Sequence, residues 1–277
     1  MSTSPLPTPP GAALKALLPA DVDLKGTLRH QAARPVWIGM VWGRLGRGDH
    51  AWACFDRVRL PALQPWIAAE RGRLLRELGD HTAAEAIEWP ALVRADDPVD
   101  AAMLRTSLVA DAVGSGDRTR ATSRLQAARQ AVASLPDGPR AARQRMRLSW
   151  VEVEVAWLRG EAPPADDLPT WSEGFAGPQL PRDYAAGTRF HAAKGLLFAG
   201  VVRADPRLLD AAAEDAPPAL LWAVHAARAD AGRSGAGEAA QTARASVVPP
   251  PGGADGNGNT SSAPRAGGLP ADVQPPG

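Results

Sequence analysis

The 277-residue chain sets 31 lysines and arginines against 30 aspartates and glutamates, a formal net charge of +1, with 45% hydrophobic and 22% charged residues. That balance is ordinary for a soluble globular protein and excludes a whole-molecule field that would draw it to phosphate or to a membrane surface. A single cysteine, Cys54, excludes an internal disulfide and a thiolate-rich metal site, and no run of about 18 apolar residues offers a membrane span, so a cytoplasmic protein without membrane contact is expected.

In chain order, residues 1–11 are rich in Ser, Thr and Pro and are expected to form a disordered tail. From residue 12 to 159 apolar residues recur at three and four, and Ala, Leu, Arg and Glu outnumber Val, Ile and Thr, which predicts helices. Three Gly-Asp turns punctuate them: Gly48-Asp49-His50, Gly79-Asp80-His81 and Gly116-Asp117-Arg118, with weaker echoes at Gly160-Glu161 and Gly237-Glu238. At each, glycine can end one helix in the left-handed conformation and the aspartate can cap the next. Asp97-Pro98 predicts a helix from there to about Val113, and Asp205-Pro206 repeats the device. Pro61, Pro139 and Pro217-Pro218 also read as first-turn positions.

The stretch WVEVEVAWL, residues 150–158, alternates like a strand yet also fits a helical face, and the helix-favouring PRAARQRMRLS before it decides for one helix from about Pro139 to Leu158. Residues 160–181 hold too many prolines and glycines for a long helix and predict an ordered loop pinned by Trp157, Trp171 and Phe175. Further helical pairs are expected over 182–247, then a disordered tail over 248–277.

A helix pair cannot bury its apolar face alone, so pairs at a near-constant period stack on their neighbours. RGRLLRELGDHTAAEAI, with Gly72 at the small helix-contact position, the turn at Gly79-Asp80-His81 and Ala84 on the second helix, resembles a tetratricopeptide repeat. WGRLGRGDHAWACFDRV looks like another, with Ala53 matching Ala84, and Ala121 is similar in a third unit, so that the resemblance covers about residues 35–134. Val41 and Val109 stand where that family prefers glycine, and a literal W-x-x-L-G from Trp42 to Gly46 lies out of register with the Gly-Asp turns. The resemblance implies an all-α fold of antiparallel helix pairs stacked as a solenoid, acting as a non-catalytic adaptor that binds a protein segment in a concave groove. By register, Trp42, Trp66, Arg73 and Arg76 would contact the partner, with Ala69 between them.

Candidates for chemistry are few. His50 and Cys54 stand at i,i+4 as a base and nucleophile could, but a small apolar side chain in mid-helix reads first as packing. Asp49-His50 and Asp80-His81 could share a metal only with further converging ligands, and capping accounts for them, so no metal, cofactor or catalytic residue is expected. Arg140, Arg143 and Arg147 fall along one predicted helix face, and a nucleic-acid backbone is the alternative partner they suggest. Trp89, Trp150, Trp157 and Trp222 read as core side chains between helix layers.

Overall fold

The computed structural model describes residues 34–163 and 189–249, together with residue 9. The expected tails over 1–11 and 248–277 and the loop over 160–181 with Trp171 and Phe175 lie wholly or largely outside them. Among the described residues there are eleven α-helices and no strand. They are α1 (Arg34–Arg44), α2 (Gly48–Phe55), α3 (Gln64–Glu77), α4 (His81–Val93), α5 (Pro98–Gly114), α6 (Arg118–Ala133), α7 (Pro139–Arg159), α8 (Arg189–Val202), α9 (Pro206–Asp215), α10 (Pro218–Asp230) and α11 (Ala236–Ala245). A 3-10 turn, Pro61–Leu63, leads into α3.

Local chemistry sets most of these boundaries. Asp80 and Asp117 accept hydrogen bonds from the backbone amides of Ala83 and Arg120, both at 2.9 Å, and so satisfy donors that open α4 and α6. Asp97 does the same for Val99 and Asp100 ahead of Pro98, and Asp205 for Arg207 ahead of Pro206. The ambiguous stretch at 150–158 is helical, inside α7, where Val151, Val153 and Val155 are all buried and Gly160 ends the helix at φ 76°. α7 packs against α5 and α6, so these valines fill space between helices.

The first turn differs from the expected one. The left-handed residue is Gly46, at φ 78°, and Gly48 already belongs to α2. Arg47 holds the N-cap position, while Asp49 sits in the first turn with its carboxylate 2.8 Å from the Arg47 guanidinium. Two glycines two residues apart both permit the turn, and the placement of apolar side chains selects the earlier one. With Gly46 as hinge, Ala51 is fully buried while Ala53 is exposed, so Ala51 and not Ala53 is the counterpart of Ala84. The small position on α1 likewise moves from Val41 to Gly39, where a Cβ would come within 2.5 Å of the Phe55 ring. Near the C-terminal end of the described chain, Gly235 at φ 73° precedes α11, and Gly237 lies inside that helix.

The described residues divide into two compact units, 34–70 with 189–249, and 71–163. In the first, α1 packs on α2, α8 on α9 and α10 on α11, and α10 also meets α1. Its later helices share a core of Ala193, Leu197, Leu209, Ala212, Leu220 and Val224. Residue 248 returns to the first turn: the Val248 amide donates to the Gly46 carbonyl at 2.7 Å, and the Gly48 amide donates to the Val248 carbonyl at 2.8 Å. Arg44, 1% exposed, donates to the Met40 carbonyl and lies 3.6 Å from the Glu70 carboxylate.

In the second unit α4 packs on α5, and α5, α6 and α7 pack on one another. Val109, Ala112, Ala121, Leu125, Ala128, Val151 and Val155 form its main core, and Ala102, Val132, Leu135 and Ala141 a second. Burial of side chains this size stabilises by roughly 1.5–3 kcal/mol for each Val or Leu. Among the described residues no helix is long and apolar enough to cross a membrane.

Candidate functional site

On α4, Ala84 and Glu88 are both fully buried and lie one turn apart. That phase turns the next residue outward, and Trp89 is 51% exposed, with Val93 beyond it at 72%. The tryptophan expected in the core is therefore on the surface, and a carboxylate stands in the interior. Trp150 does lie in the core at 4% exposure, while Trp157 and Trp222 are half-buried, the latter under the Arg244 guanidinium at 5.5 Å.

Glu88 is accommodated by two neighbouring helices. Gly72 on α3 leaves the space, since a Cβ there would collide with the carboxylate. Arg76, one turn further along α3, donates to Glu88 Oε2 and to Asp111 Oδ1, both at 3.0 Å. Asp111 on α5 is fully buried as well. Burial, with repulsion from Asp111 added, pushes the Glu88 carboxyl up to about 8 against the pull of Arg76. Burial tends to lower Arg76, but Glu88 and Asp111 outweigh it and the guanidinium stays charged. His81 Nδ1 lies 4.0 Å from Asp111 Oδ1, and burial holds its pKa below the usual histidine value.

This cluster absorbs part of the expected partner-binding set. Arg76 has 14% of its side chain exposed and points its charge inward, so it joins helices together. Arg73 pairs with Glu77 on the same helix. In the other unit, Trp66 meets Trp37 edge to face at 5.6 Å, and Trp42 lies 4.8 Å from the His50 ring. Ala69 is buried.

Two of the arginines of α7 reach across to α5. Arg140 spans Asp97 at 2.9 Å and Asp100 at 2.8 Å, Arg147 donates to the Ser107 hydroxyl at 3.0 Å, and Arg143 is 9% exposed. Arg140 nevertheless keeps 45% of its side chain exposed, whereas Arg143 is buried.

Cys54 is fully buried, and burial pushes its thiol up to about 11, with Arg57 opposing. His50 sits 2.5 Å from the Arg47 guanidinium. Among the described residues no group of three or more His, Cys, Asp and Glu side chains is arranged to hold a metal ion.

A surface cleft of about 540 Å³ opens beside Trp89, where α4, α5 and α6 meet. Trp89, Leu92 and Leu108 line it with Arg105, Arg120 and Arg124. Glu85 is 3.2 Å from Arg120 and 2.5 Å from Arg124, whose guanidinium stands 5.9 Å from the Trp89 ring centre. Sequence reasoning missed Trp89, Arg105, Glu88 and Asp111 as site residues. The available signal was that Glu88 follows Ala84 by four in the stripe that the repeat pattern buries. No family model, no curated protein and no solved structure matches the chain.

Proposed function

We propose that the chain is a non-catalytic adaptor or scaffold of the tetratricopeptide-repeat type, built from stacked helix pairs, that binds a segment of another protein. The observation that carries this reading is a recurrence in the structure. Gly46 and Gly79, both left-handed, stand 33 residues apart, as do Gly39 and Gly72, the close-contact positions, and Ala51 and Ala84, both fully buried. In both pairs the residue packed against the close-contact glycine follows it by 16: Phe55 for Gly39 and Glu88 for Gly72. The third pair follows with a longer spacing, Gly116 standing 37 residues after Gly79, and here Val109 and Leu125 occupy the corresponding positions within one core. One solution to helix packing is thus used at near-constant period, which is how helical repeat arrays are built.

A binding role fits the distribution of chemistry. The buried ionisable groups of the second unit are spent on each other, and large aromatic side chains remain at least partly accessible at Trp66 and Trp89. Trp66 stays assigned to the partner in the first unit and Arg73 in the second. Affinity capture with the full chain, with and without nuclease and followed by mass spectrometry, tests the reading. Protein partners that survive nuclease are the expected result. Recovery that collapses with nuclease would replace the scaffold with a nucleic-acid binder.

A further inference from the structure

We propose that the cleft between α4, α5 and α6 receives an acidic segment of a partner protein, with one bulky apolar side chain laid on Trp89 and an adjacent carboxylate paired with Arg105. This deepens the scaffold reading and rests on it. Two features of the cleft define its occupant. The first is an apolar floor of exposed Trp89, half-buried Leu92 and, beneath them, the buried Leu108, in which the tryptophan is turned outward by the inward placement of Glu88. The second is charge. Arg120 and Arg124 are both engaged by Glu85, Arg120 also by Asp117, and Arg124 donates to the Leu108 carbonyl at 3.0 Å. Arg105 lines the same cleft, half-buried, and among the described residues no carboxylate pairs with it. With Arg105, Arg120 and Arg124 facing Glu85 and Asp117, one positive charge is left over at the edge of an apolar surface.

A partner segment with a Leu, Phe or Trp next to Asp or Glu complements that surface. Its apolar side chain leaves water against the Trp89 ring, and its carboxylate meets a guanidinium already half removed from solvent, where a bidentate pair is strongest. A basic segment would add like charge at Arg105. A single-stranded nucleic acid could also stack on Trp89, but Glu85 and Asp117 line or flank the same cleft and would oppose a phosphate backbone.

The test is selection of a randomised twelve-residue peptide display library on the immobilised full chain. Enriched peptides are then titrated against the chain and its Trp89→Ala and Arg105→Gln variants, each first checked for an unchanged thermal transition. Expected are peptides joining a bulky apolar residue to Asp or Glu, each weakened at least tenfold by either variant. Peptides that bind but ignore both variants would overturn the cleft assignment and leave the scaffold reading standing. Enrichment of basic peptides would likewise overturn the cleft assignment. A library that yields no binder would count against both. A twenty-nucleotide single strand that binds the chain and is lost in Arg105→Gln would assign the cleft to nucleic acid instead.

Discussion

Gly72 of α3 lies directly against the Glu88 carboxylate of α4, so closely that no β-carbon fits between them. The missing side chain on one helix makes room for a buried carboxyl group on the next, and Arg76 and Asp111 complete its surroundings. Gly72→Ala should therefore destabilise the protein by about 3 kcal/mol, since overpacking and a disturbed buried ion pair act together. Glu88→Ala removes the obstacle. In a double-mutant cycle the pair of substitutions should cost clearly less than the two single losses added, as measured by denaturant unfolding.

The hinge register has its own test. Asp80 and Asp117 cap helices, so Asp80→Ala and Asp117→Ala should each lower stability by about 1 kcal/mol. Asp49 makes no cap and holds a half-exposed pair with Arg47, so Asp49→Ala should cost about 0.5 kcal/mol or less. Equal losses at all three positions would put the first hinge at Gly48.

The buried carboxyls predict an unusual pH dependence. Glu88 is pushed up to about 8 in the folded protein, whereas the unfolded chain releases that proton near the ordinary value of 4.5. The folded state therefore holds a proton that the unfolded state has lost, and stability falls as pH rises through that interval. His81, lowered from 6.5, works in the opposite direction at lower pH, where its protonation favours unfolding. The window from about 6.5 to about 8 belongs to Glu88. Unfolding free energy should decline there with a slope of at most about 1.4 kcal/mol per pH unit. Glu88→Gln should flatten it, and an unchanged slope would show that Glu88 is already ionised at neutral pH.

Cys54 combines full burial with a thiol raised to about 11. A disulfide reagent at pH 8 should label the folded chain only as fast as it opens, and quickly once it is denatured. Rapid labelling of the native protein would mean that α2 does not shield its inner face.

How much of this was legible in the sequence depends on the range of the interaction involved. Asp80, Asp97, Asp117 and Asp205 could be placed as caps because each acts on amides two or three residues away. The hinge at Gly46 was harder, because Gly48 satisfies the same local rule and the choice is made by Ala51 and Phe55 packing against α1. The partnership of Arg76 with Asp111 spans 35 residues and depends on helix packing, so no local pattern announces it. Trp89 read as core because it is large and apolar, yet it shares a helix with Glu88, and α4 can turn only one of them inward. The ties of Arg140 and Arg147 to α5 were equally hidden, their partners lying 40 or more residues away in sequence.

The central claim, that this helical protein exists to hold a segment of another protein, is met most directly by calorimetric titration of the purified full chain at two ionic strengths. One series adds the protein captured from lysate and the other adds a twenty-nucleotide single strand. The account expects saturable binding of the protein with a negative heat-capacity change, the mark of buried apolar surface, and no more than modest weakening by salt. Heat from the oligonucleotide alone, fading steeply as salt rises, would contradict it.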